Sequence, residues 1–107
     1  MNPETYEQWE KAFSHIKNAE ELLKNKKFDE AEEQARFAVF WGIEAMLKLS
    51  KVLEMADLST IAFNVLHEWG ERGEKGHYTP KENIDWARSI LKRFTAELPP
   101  DTLRPFK

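Results

Sequence analysis

Apolar residues recur along this chain at helical spacing. Tyr6, Trp9, Phe13, Ile16 and Leu23 stand three, four or seven residues apart and share one helical face. Asn2-Pro3 supplies a start with proline in the first turn, and Lys24, Lys26 and Lys27 suit a helix C-terminus. A first helix is expected over residues 3–25 and, after a tight turn, a second over 28–55. The second carries two patterns. Ala31, Ala35, Ala38, Gly42 and Ala45 form a stripe of small residues that lets a neighbouring helix come close. From Phe37 to Leu47 the segment is apolar nearly all round, with Glu44 its only charge. Such a helix is central in its fold. Three other short helices cannot wrap it completely, so part of Phe37, Phe40 and Trp41 is expected to face another chain.

A third helix, capped by Asp57 or Ser59, carries Leu58, Ile61, Val65, Leu66 and Trp69. It is expected to break over residues 70–76, where three glycines fall in seven residues. Thr79-Pro80-Lys81-Glu82 is a strong start for the fourth: a cap, a proline and a capping box. Ile84, Ala87, Leu91, Phe94 and Leu98 make its inner face, and Pro99-Pro100 ends it. No strand-like alternation stands out. The fold class is all-α, an antiparallel four-helix bundle over residues 1–98. Residues 99–107 read as a C-terminal tail, with Leu103 and Phe106 expected to dock.

Composition narrows the chemistry. The chain has 107 residues, enough for one domain, and 41% of them are hydrophobic, enough for a core. It has no Cys, which excludes disulfides, thiol nucleophiles and thiolate metal sites. No apolar run is long enough to span a membrane, and the acidic start does not resemble a targeting segment. A net charge of −3 argues against a broad basic face for nucleic acid, but not against a small local site. His67 and Glu68 open no zinc motif, since position 71 is Glu, and no phosphate-cradling glycine motif follows a strand.

The informative stretch is Arg72-Gly73-Glu74-Lys75-Gly76-His77-Tyr78. A neutral imidazole takes up a proton near pH 7, and a guanidinium holds two phosphate oxygens. With RNA the ribose 2′-hydroxyl is a built-in nucleophile, so the pair needs no metal. The plainer reading is a solvated polar loop. Glu44, one turn before Lys48, reads as its ion-pair partner rather than as a carboxylate that orients Arg72. His15 reads as a boundary residue. The four Trp read as core, with Trp41 and Trp86 the exceptions expected at an interface.

Taken together, these segments resemble the HEPN domain, a small helical domain of higher eukaryotes and prokaryotes associated with nucleotide binding. The resemblance is carried by Lys27-Phe28-Asp29-Glu30-Ala31 entering the second helix and by the aromatic, alanine-rich run from Ala35 to Leu47. Its third element is Arg72-x4-His77 followed by Tyr78 and a fourth helix. It implies a homodimer whose Arg and His meet in a cleft. Arg72 and His77 would then be catalytic, Tyr78 and Lys75 would bind nucleotide or RNA, and Phe37, Phe40 and Trp41 would form the dimer interface. It implies a metal-independent endoribonuclease of toxin or defence type, cytoplasmic, with no cofactor, no metal and no membrane partner. The alternative is a non-catalytic module that binds a nucleotide or a small nucleotidyltransferase partner. Gly73, where active members commonly carry a polar residue, favours that alternative. The segment at 27–31 also resembles one helix of a tetratricopeptide repeat, but no second copy follows 34 residues on, at 61–65.

Overall fold

The computed structural model describes residues 3–100 and 102. Four helices follow one another: α1 (Pro3–Lys24), α2 (Phe28–Val52), α3 (Ala56–Lys75) and α4 (Pro80–Ala96). No strand occurs among the described residues. Cross-helix contacts fix the directions. His15 meets Gln34 and Lys11 meets Trp41, so α1 and α2 are antiparallel. Arg72 meets Asn83 and Glu68 meets Arg93, so α3 and α4 are too. Glu32 meets Asn83 while Gly42 faces Leu91, so α2 and α4 run parallel across the bundle. The all-α four-helix bundle is as expected. Helix α2 is its centre, packing closely against each of the other three.

The small-residue stripe explains that centrality. Ala31, Ala35, Ala38 and Ala45 are all at most 3% exposed, and Gly42 is buried as well. A Cβ on Gly42 would lie 2.8 Å from Leu91 Cδ2 and 3.3 Å from Phe94 Cε2. Hydrogen at this position is what lets α4 seat its largest buried side chain, Phe94, against α2. The inner face expected for α4 is buried throughout, from Ile84 to Leu98. On α3, Leu58 and Val65 are buried, but Leu66 is 47% exposed and points outward with Phe63.

The end of α2 and both ends of α3 differ from expectation. Helix α2 stops at Val52, short of residue 55. Met55 N–H bonds to Ser50 C=O (2.9 Å), Glu54 N–H bonds to Lys51 C=O (3.3 Å), and Glu54 takes φ 53°. This is a Schellman closure with Glu where glycine is usual. The end of α1 repeats it: Lys27 N–H bonds to Leu22 C=O, Lys26 N–H to Leu23 C=O, and Lys26 takes φ 60°.

Helix α3 begins at Ala56 behind an extended Met55, so neither Asp57 nor Ser59 is its cap. It also does not break at Gly70. It continues through Gly70 and Gly73 to Lys75, and only Gly76 stops it, at φ 62° with its N–H on Arg72 C=O. A helical glycine costs about 1 kcal/mol, which weakens a helix without ending it. The stop needs the left-handed conformation, and of the three glycines only Gly76 adopts it.

Helix α4 starts as expected. Glu82 N–H donates to Thr79 Oγ1 (3.1 Å) and Thr79 N–H donates to Glu82 Oε1 (3.0 Å), with Pro80 in the first turn. That box fixes Thr79, the residue that follows His77 and Tyr78 in the link from α3. At the other end, the Tyr6 hydroxyl donates to Thr102 C=O (3.3 Å), tying the chain after α4 back to α1. Leu103 and Phe106, expected to dock, lie outside the described residues.

Candidate functional site

The continuation of α3 moves Arg72 from a loop onto the last turn of a helix. From there its guanidinium lies over two rings, with its central carbon 3.7 Å from the centroid of Tyr78 and 4.8 Å from that of Trp86. Its Nη2 donates to Asn83 Oδ1 (3.0 Å), and Asn83 Nδ2 donates to Glu32 Oε2 (2.7 Å). A cation, an amide and a carboxylate thus form one row across α3, α4 and α2. The row also settles which way the Asn83 amide faces, since only this orientation gives both neighbours a partner. Among the described residues, most of the five N–H donors of Arg72 remain uncommitted.

These side chains line a cleft of about 250 Å³. Its floor is apolar, from the buried Ala35, Val39 and Ala87. Its polar wall holds Arg36, Arg72, Glu32 and Asn83, and Trp69, Tyr78 and Trp86 supply aromatic surface. Two guanidinium groups against one carboxylate leave the lining net positive, in a chain whose overall charge is −3. Among the lining residues the local charge is opposite to the global one, while the carboxylates of Glu68 and Glu82 lie close enough outside the lining to feel the charge of Arg72.

The residues singled out in the sequence divide. Arg72 and Tyr78 are brought together in the cleft. His77 is exposed, is not part of the lining, and has no hydrogen-bond or ion-pair partner among the described residues. Lys75 is exposed at the end of α3, where a cation suits the helix dipole. Glu44 is not among the lining residues; the group that orients Arg72 is Asn83. His15 is half-buried, with Nδ1 2.7 Å from Gln34 Oε1 and its ring against Phe37. Phe37 and Phe40 are 41% and 44% exposed, while Trp41 is half-buried beneath Lys11. No group of three or more potential metal ligands occurs among the described residues.

Sequence reasoning missed Asn83, Glu32, Arg36 and Trp69. A single Asn near a helix start and a single Glu on an exposed-looking turn carry no pattern. Trp86, expected at an interface, forms part of the cleft wall. Its indole Nε1 donates to Glu68 Oε1 (2.7 Å), behind the ring that faces Arg72.

That hydrogen bond, aided by Arg93 and by the more distant charge of Arg72, holds the Glu68 carboxyl below its usual value of 4.5. A lowered carboxyl pKa means a stabilising contribution that is complete above the ordinary value and lost as pH falls through the folded one. The indole N–H resonance of Trp86 should therefore hold steady above pH 4.5 and shift on further acidification. In Glu68→Gln, which still accepts the bond but does not titrate, that shift should vanish from the NMR titration.

Comparison with known proteins finds no matching family model, no similar curated protein and no similar solved structure. No helix among the described residues is long and apolar enough to cross a membrane.

Proposed function

We propose that this protein is a HEPN-type helical module that binds a nucleotide, free or within RNA, in the Arg72 cleft. One observation carries the reading. Arg72 is held by Asn83 and by two aromatic rings, with most of its donors uncommitted, in a cationic cleft of an acidic protein. A guanidinium fixed in advance spends little entropy on gripping phosphate, and Trp69 in the same lining suits a base. The exposed Phe37 and Phe40, with Trp41, supply the face through which two copies pair.

The reading is tested by calorimetric titration with 5′-nucleotides and with the matching nucleosides. The nucleotides should bind at least about tenfold more tightly, as expected for charge-assisted hydrogen bonds to phosphate. Equal affinity, or no binding of either, would overturn it.

A second reading, metal-independent RNA cleavage, is favoured by the place of His77 between Gly76 and Tyr78, both of which line the cleft. In it, His77 takes the proton of a ribose 2′-hydroxyl while the oxygen bonds to phosphorus. The bond to the 5′-oxygen breaks, that oxygen takes up a proton, and a 2′,3′-cyclic phosphate remains. Arg72 offsets the charge on the phosphorus centre. Cleavage in EDTA that yields cyclic phosphate ends and disappears in His77→Ala would support this reading. Equal cleavage by both proteins would refute it.

A further inference from the structure

We infer that the cleft selects guanine, with Glu32 reading two adjacent donors on the base; this rests on the reading of the cleft as a nucleotide site. Among the described residues, Glu32 is the only carboxylate in the lining. It opposes phosphate, so its presence in an otherwise cationic wall calls for a ligand that also brings donors. One oxygen accepts from Asn83 Nδ2, and the other has no donor among the described residues. A carboxylate offers about four acceptor positions, so both oxygens still have capacity. Glu32 is half-buried, where an unmet acceptor has more to gain from a donor than it would in open water.

The surroundings divide the labour. Tyr78 and Trp86 are occupied by the Arg72 guanidinium. Trp69 lines the same cleft, is packed on its other side against the core, and takes part in no ring contact or hydrogen bond among the described residues. It is the free platform on which a base can stack. Arg36 and Arg72 supply the donors for phosphate.

The base is then chosen by its Watson–Crick edge. Guanine presents two donors side by side, N1–H and the 2-amino group, which match the two oxygens of a carboxylate. Adenine and cytosine present one amino group beside an acceptor nitrogen, and uracil presents one N–H between two carbonyls. Each of these turns a lone pair towards the Glu32 carboxylate. A site built around a specific donor pattern rejects ligands that leave its polar groups unmatched.

The test is titration of wild type and Glu32→Gln with GMP, IMP and AMP, and with the RNA pentamers UUGUU and UUAUU. Circular dichroism checks that both proteins are folded. Wild type should favour GMP over AMP by about 30-fold, with IMP between them because it lacks the 2-amino group. In Glu32→Gln the GMP advantage should fall to threefold or less, while AMP binds no more weakly than before. A purely positioning role, in which Glu32 only holds Asn83, would instead weaken GMP and AMP alike and would overturn the inference. A preference among mononucleotides identifies a free nucleotide as the ligand, and one confined to the pentamers identifies RNA. Equal affinity for the guanine and adenine forms in both series would overturn guanine selection and leave the nucleotide reading standing. Failure of every ligand to bind would overturn both.

Discussion

Gly42→Leu should lower the melting temperature by about 15 °C, whereas Gly70→Ala should raise it by a few degrees. Both positions are helical glycines, and their surroundings give them opposite signs. At Gly42 the first added carbon already meets Leu91 Cδ2 at 2.8 Å, in a core where Leu91 is 1% exposed and Phe94 fully buried. Overfilling a sealed core costs about 1–3 kcal/mol, and leucine adds three carbons beyond the first. The gain in helix propensity, roughly 1 kcal/mol, offsets only part of this. At Gly70 nothing lies within 4 Å of the added methyl, so the propensity gain stands alone. A cycle provides the internal check. Gly42→Ala should cost less in a Leu91→Ala background than in wild type, because the obstructing methyl has gone. Thermal and urea denaturation measure all of these. Additive costs in the cycle would overturn the account of Gly42 as the point of closest α2–α4 approach.

Arg72→Ala should weaken nucleotide binding by about 100-fold, and Arg72→Lys should recover no more than about tenfold of that. The two variants separate charge from geometry. Lysine restores the charge, but an ammonium cannot lie flat on Tyr78 and Trp86 or grip phosphate with two parallel N–H groups. If charge alone mattered, Arg72→Lys would bind like wild type, and the argument from stacking would fail. Both variants leave Tyr78 without the guanidinium now 3.7 Å from its ring centroid, so binding is to be measured well below each melting temperature. Asn83→Ala should fall between wild type and Arg72→Ala, since the rings still hold the guanidinium when its hydrogen bond is gone.

How much of this was legible in the sequence depended on whether a feature was local. The start of α4 was, because Thr79, Pro80 and Glu82 complete their hydrogen bonds within one turn. So was the central place of α2, because burial on all sides leaves an apolar run. The end of α2 was not. Its closure puts Glu54 into a conformation that glycine usually fills, and no sequence pattern marks a residue that bears such strain. The glycines of α3 misled for the mirror-image reason: two of the three sit in ordinary helix. For the cleft, Arg72 and Tyr78 could be picked out because they lie six residues apart. Glu32 and Asn83 could not, since their hydrogen bond joins residues 51 apart in the chain and exists only once α2 and α4 run side by side.

The way α3 is attached has a dynamic consequence. It packs closely against α2 alone, while α1, α2 and α4 each pack against at least two partners. Towards α4 it is fastened mainly by side chains, through Arg72–Asn83, Glu68–Trp86 and Glu68–Arg93. An element held on one flank opens at lower free energy than one enclosed on several. The wall of the cleft that carries Trp69 and Arg72 should therefore exchange its backbone amide hydrogens sooner than the α1–α2–α4 core does. Under the proposed reading, a ligand that spans from Glu32 to Arg72 would tie that wall to α2, and the exchange of α3 should slow when the cleft is filled.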